Sequence, residues 1–132
     1  MLHRIDELLN KGVNFAFETT LSTKSFTQTI IKAQQKHYMV TLLFFWLNNI
    51  QLAKDRVALR VKEAGHNIQN EIIERRYHRG INNLLKLYLP LCDNVMCFDN
   101  STKIPELIFK KAKDEKMVIL NSKSFNCINH GK

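Results

Sequence analysis

Tyr38-Met-Val-Thr-Leu-Leu-Phe-Phe-Trp-Leu47 is the stretch on which the fold turns. It shows no strict alternation and is rich in aromatic and branched residues, as a strand covered on both faces is. A strand of that kind implies a parallel sheet with helices packed over it. The run is about half the length that a membrane-spanning helix needs.

Upstream, Leu2, Ile5, Leu8 and Leu9 recur at helical spacing, and Lys11-Gly12 closes that helix with a cation and a C-terminal glycine. A second strand is expected over 13–19. Ser22 or Thr23 can then cap a helix whose apolar stripe is Phe26, Ile30 and Ala33. Downstream, Asn48 or Asn49 caps a helix running to about Ala64, where Gly65 stops it. A long helix over about 69–88 follows, with Pro90 at its end. Asn94 to Asp99 reads as a third strand, and Pro105 as the first turn of a helix reaching about Lys113. Met117 to Leu120 suggests a last strand, and 121–132 a polar, frayed tail after a domain spanning 1–120. The succession predicts an α/β fold with a doubly wound, mostly parallel sheet.

With 132 residues the chain forms one domain at most, and its 45% hydrophobic and 24% charged content is ordinary for a globular protein. A net charge of +8 points to an anionic partner such as nucleic acid, nucleotide or acidic lipid, or simply to a soluble basic surface. Cys92, Cys97 and Cys127 are odd in number and lack metal-ligand spacing, so a reducing cytoplasm is expected. The histidines show no ligand spacing either. The N-terminus has acids where a signal peptide has its apolar run. A soluble, non-membrane protein is expected.

Two constellations suggest chemistry. Glu18, Thr19 and Thr20 follow an apolar segment, where open α/β sheets bind ligands at strand C-termini. A carboxylate there can accept hydrogen bonds from substrate hydroxyls; the same residues also suit a turn and a helix cap. Arg56 and Arg60 lie one helical turn apart, and Arg75, Arg76 and Arg79 cluster on the next helix. Joined by a turn at Gly65-His66-Asn67, both helices can direct cations to one spot, and guanidinium forks suit phosphate oxygens. Pairing with Glu71 and Glu74 is the plainer alternative. No glycine-rich phosphate loop occurs.

Phe15-Ala-Phe-Glu-Thr-Thr-Leu-Ser22, Phe44-Phe-Trp-Leu47 and Leu52-Ala-x-x-Arg56 resemble the zeta-toxin-like P-loop kinases, also labelled predicted ABC-type ATPases. Arg60-Val-Lys-x-x-Gly65-His-Asn-Ile68, Ile73-x-Arg-Arg-Tyr-x-Arg79-Gly, Asn83-Leu-x-x-Leu-Tyr88-x-Pro-Leu91 and Phe98-Asp-Asn-Ser101 continue the resemblance in the same order, from about Arg4 to Leu107. It implies ATP-dependent phosphorylation of a hydroxyl on a nucleotide sugar such as UDP-N-acetylglucosamine, with Mg²⁺, and a small antitoxin as partner. By that resemblance Glu18 matches the acid near the substrate, with Thr19 and Thr20 beside it. Arg76 and Arg79 fall in the arginine-rich lid helix that approaches the ATP phosphates, His66 in the turn before it, and Arg60 in the preceding helix. Gln69 stands where the family usually has proline.

The family begins with a strand, a Gly-x-x-Gly-x-Gly-Lys-Ser/Thr loop and a second strand bearing the catalytic aspartate. This chain starts after both, so the Walker A lysine, the metal-binding hydroxyl and the general base are missing. An incomplete P-loop kinase sheet is therefore expected, truncated and inactive alone. The alternative is a non-catalytic basic module for a polyanion or an antitoxin-like protein. Because the family's phosphate-loop strand lies between the segments equivalent to 14–19 and 38–47, three outcomes are expected: direct pairing of these two, self-association through open edges, or poor solubility.

Overall fold

The computed structural model describes residues 2–64 and 68–129. Gly65 and His66, with the turn assigned to them, lie outside the described residues.

The first helix, α1 (Leu2–Lys11), ends at Gly12, whose φ of 70° is the left-handed conformation glycine adopts readily. α2 (Phe26–Gln35) lies beside it. Ile5 and Leu9 of α1 bury against Ala33 of α2, with Phe15, Phe26, Tyr38 and Val40 around them. The Tyr38 hydroxyl, donating to Leu8 O (3.2 Å) or Val13 O (2.9 Å), ties the end of α1 to the start of the strand region.

β1 (Thr41–Trp46) leads into α3 (Ile50–Ala64), capped by Asn49, whose side-chain oxygen accepts from the Leu52 amide at 2.7 Å. α4 (Asn70–Asn83) runs on through a π-helical turn (Leu84–Tyr88) into the short α5 (Leu89–Leu91), which contains Pro90. β2 (Asn94–Asp99) then pairs parallel with β1, from Thr41 opposite Asn94 to Trp46 opposite Asp99. β3 (Glu106–Ala112) and the two-residue β4 (Val118–Ile119) extend the sheet antiparallel, and α6 (Ser122–Asn129) closes the described chain.

The result is an α/β fold with a four-stranded mixed sheet in the order β1-β2-β3-β4. Its core joins Trp46, Val95, Cys97 and Phe109 of the sheet to Ile81, Leu84 and Tyr88 of the helical run and Ile128 of α6. The helices thus cover one sheet face.

Four expectations are corrected. First, the sheet is mixed rather than mostly parallel: one ladder is parallel and two are antiparallel. Second, residues 13–19 form no strand. They have no regular secondary structure and are mostly exposed, and they pack through Phe15 and Phe17 against Tyr38 and Phe26 rather than through a ladder. Third, residues 106–112 are a strand, not a helix, because pairing with β2 satisfies their backbone and buries Ile108 and Phe109. Fourth, the expected frayed tail contains α6, which buries Ile128 in the core and sets Phe125 edge-on to Phe109.

β1 is also covered on one face only. Its side chains alternate, with Leu43 and Phe45 each 50% exposed while Trp46 is buried. Residues 14–19 do not pair directly with β1. A cavity of about 210 Å³ is lined by residues of both, Phe15 and Phe17 with Thr41 and Leu42, and by Phe26, Ile30 and Ala33 of α2.

Candidate functional site

The chain from Thr19 to Ser25 is a hydroxyl-rich loop held down at two points. Within it the Ser22 amide donates to Thr20 Oγ1 at 3.3 Å, the two hydroxyls lie 3.2 Å apart, and Thr23 and Ser25 share a 2.9 Å hydrogen bond. Leu21 turns inward and joins the main core. Its carbonyl accepts from Asn83 Nδ2 at 2.6 Å, and the Tyr88 hydroxyl donates to Thr23 O at 2.9 Å. Asn83 is 5% exposed, the buried polar side chain among the described residues. Burial pushes the Tyr88 phenol above its ordinary value, so it stays protonated and donates throughout the physiological range.

The π-helical turn explains how one helical run grips both carbonyls. In an α-helix residues five apart point about 140° away from each other. A π turn closes its hydrogen bonds from i to i+5, which brings such residues nearly over one another. Asn83 and Tyr88 are so related, and both reach the same loop.

Arg79 stands one turn before Asn83 and Arg76 two turns before it, so both arginines continue the stripe of α4 that ends at the loop. Both are exposed, as is Arg75, and none of the three forms an ion pair among the described residues. Asn83, whose amide reaches Leu21 O, links that stripe to the loop, while no hydrogen bond or ion pair among the described residues joins Arg76 or Arg79 to it. Glu18 and Thr19 are exposed at the start of the loop, after an irregular segment rather than at the end of a strand. No hydrogen bond or ion pair among the described residues joins Glu18 to an arginine.

Arg60 does not join that stripe. The α3–α4 seam is marked by Lys54 Nζ and Glu74 Oε1, 2.6 Å apart. Helical spacing puts Glu74 across α4 from Arg76, and Arg60 on the side of α3 turned from Lys54. The hydrogen bond from Lys54 holds the Glu74 carboxyl below its ordinary value. Arg56 instead donates to Ser101 O at 3.3 Å. Ser101 closes the C-terminal ends of the two parallel strands: its amide and hydroxyl bond Asp99, and its hydroxyl accepts from the Asn48 amide at 2.9 Å. His66 lies outside the described residues.

Sequence reasoning missed Asn83, Tyr88 and the Asp99–Ser101–Arg56 network as positioning residues. The available signal was Asn83 itself, an amide among Ile81, Leu84 and Tyr88 on an otherwise apolar helix side, where a buried amide needs a partner.

Chemically, exposed guanidinium groups beside hydroxyls suit phosphate oxygens. Among the described residues no group of three His, Cys, Asp or Glu side chains that could hold a metal ion gathers. No helix among them is long and apolar enough to cross a membrane.

No family model and no solved structure matches the chain. A protein of Haemophilus influenzae, described as an uncharacterized protein, is similar to it at 30% identity over 69 residues. That alignment takes in 52% of this chain and 49% of the relative, so the chain spans about half the length of the curated protein it matches.

Proposed function

We propose that this chain is the acceptor-side and arginine-bearing portion of a zeta-toxin-like P-loop kinase, a fold that transfers phosphate from ATP to a hydroxyl of a nucleotide sugar such as UDP-N-acetylglucosamine. The supporting observation is the stripe of Arg76 and Arg79, which leads along α4 to the Thr20–Thr23 loop that Asn83 and Tyr88 hold. In this reading Arg76 and Arg79 meet phosphate oxygens, and Glu18, Thr19 and Thr20 face the acceptor. Oriented backbone donors and a metal supply most of what phosphoryl transfer requires. The sequence has neither a glycine-rich loop nor its lysine, so the chain alone turns over no ATP.

Incubation with ATP, Mg²⁺ and UDP-N-acetylglucosamine tests the chemistry, and phosphorylation of the sugar by this chain alone would overturn the account of its incompleteness. Binding is tested separately by amide chemical shifts. UDP-N-acetylglucosamine is expected to perturb residues 18–23, and ATP to perturb Arg76 and Arg79. Arg76→Ala and Arg79→Ala should each weaken ATP binding about fivefold, in line with about 1 kcal/mol for an exposed charge-assisted contact. Silence at all these positions would remove the assignment.

A second reading draws on the exposed Arg75, Arg76 and Arg79, which form no ion pair among the described residues: a basic module that binds a polyanion or an antitoxin-like protein. Steep weakening of nucleic-acid binding with salt, abolished by alanine at all three, would favour it over the kinase reading.

A further inference from the structure

The open edge of β1 begins at a cavity that Thr41 and Leu42 line together with Phe15, Ala16 and Phe17. β1 is a terminal strand, bonded on one side only. Val40 O accepts from the Asn94 amide at 3.1 Å and Trp46 O from the Asn100 amide at 2.7 Å, so the even-numbered residues direct their backbone toward β2. In a parallel ladder the odd-numbered residues Thr41, Leu43 and Phe45 then aim their N–H and C=O groups outward. Thr41–Trp46 has none of the usual edge defences: no lysine, no proline and no bulge. Across the cavity, no backbone–backbone hydrogen bond among the described residues joins 13–19 to β1. The open edge of β1 thus starts at an apolar cavity and carries no backbone partner among the described residues.

We propose that this edge takes an extended polypeptide segment from another protein, added to β1 as a fifth strand, with apolar side chains at alternate positions, some entering the cavity, and acidic flanks. This goes beyond the phosphoryl-transfer reading and does not depend on it. Three observations fix the occupant. The open N–H and C=O groups of Thr41, Leu43 and Phe45 call for another backbone, which a small molecule does not supply. At about 210 Å³ the cavity is smaller than the roughly 300–1,000 Å³ of small-molecule pockets, a size for a few side chains.

Charge supplies the third. The cavity wall has no charged side chain, but the segments that form it are flanked by Lys11, Lys24 and Lys36, exposed and without ion pairs among the described residues. From Lys11 to His37 the one acid is Glu18. Cationic flanks around an apolar cavity fit acidic ends on the incoming strand. They disfavour a second copy of this chain, whose net charge is also +8.

The probe is a synthetic peptide of alternating valine and threonine with two aspartates at each end, followed by amide hydrogen exchange on the full chain. Binding should slow exchange at Thr41, Leu43 and Phe45 about tenfold or more and leave β3 unchanged. Leu43→Pro should abolish binding and leave the fold intact, because that N–H takes no part in the β1–β2 ladder. The same peptide N-methylated at alternate amides should fail against the unaltered protein, a control that needs no mutation. Absence of protection, or binding that survives both N-methylation and Leu43→Pro, would overturn the proposal. Protection of the same amides by concentration-dependent dimerisation without peptide would also overturn it and assign the edge to a second copy.

Discussion

His37 occupies a left-handed backbone position, with φ of 69°. It sits just past the end of α2, where the Tyr38 amide reaches back to Ala33 O at 3.0 Å and the His37 amide to Gln34 O at 3.0 Å. That is the hydrogen-bond pattern of a Schellman ending, and the contact between Ala33 and Tyr38 supplies its apolar half. Glycine is favoured at this position, since a Cβ in left-handed geometry costs roughly 1–2 kcal/mol. His37→Gly is therefore expected to raise stability by about 0.5–1 kcal/mol, the gain reduced by the freer unfolded chain. Urea titration measures it through an upward shift in midpoint at unchanged slope. The cysteines divide at the same scale. Burial pushes the Cys92 thiol up to about 11 and the Cys97 thiol up to about 12, whereas Cys127 is exposed. A thiol reagent at pH 8 should modify Cys127 promptly and reach the other two only after denaturation.

At the scale of elements, the 20–23 loop depends on the π-helical turn. Asn83→Ala leaves the Leu21 carbonyl buried without its partner and should cost about 1–3 kcal/mol; Tyr88→Phe removes one hydrogen bond and should cost about 1 kcal/mol. Because both side chains secure one loop, the double variant should fall short of the sum, as chemical denaturation of all four proteins would show. The α3–α4 seam makes a pH prediction. The hydrogen bond from Lys54 depresses the Glu74 carboxyl in the fold. Its contribution is present above the unfolded carboxylate range and fades as pH falls through the lowered folded value. Lys54→Met should return the Glu74 midpoint toward 4.5, read by side-chain NMR.

Legibility in the sequence also varied by element. The four N-terminal helices and β1 and β2 were readable from periodicity, and Asn49 and Gly12 from their cap chemistry, whereas the expected cap at Ser22 or Thr23 fails because α2 starts at Phe26 with no side-chain cap. The 13–19 segment was misread because a short apolar run looks the same whether it enters a ladder or packs by its aromatic rings. Residues 106–112 were misread because Pro105 suits a helix start, while the pairing with β2 that decides their state is non-local. In α6, Phe125 and Ile128 stand three apart, a pair that was visible but short of a full stripe. At the site, the arginine stripe was legible from spacing alone. Its separation from Arg60 depended on which sides of α3 and α4 meet at Lys54 and Glu74.

For the whole molecule, the single parallel ladder sets the order of assembly. β2 and β3 are joined by the short stretch from Asp99 to Glu106, whereas β1 reaches β2 only after the whole helical run between Trp46 and Asn94. Loop closure is entropically cheaper for the nearer pair, so the β2–β3 hairpin can form before the crossover has compacted. Conservative truncations at Ile108 or Phe109 should accordingly slow refolding, while Leu42→Ala should chiefly speed unfolding. The strand with the open margin is then the last to zip on and the first to peel away, so a nascent chain would display it longest to whatever else is in the cell.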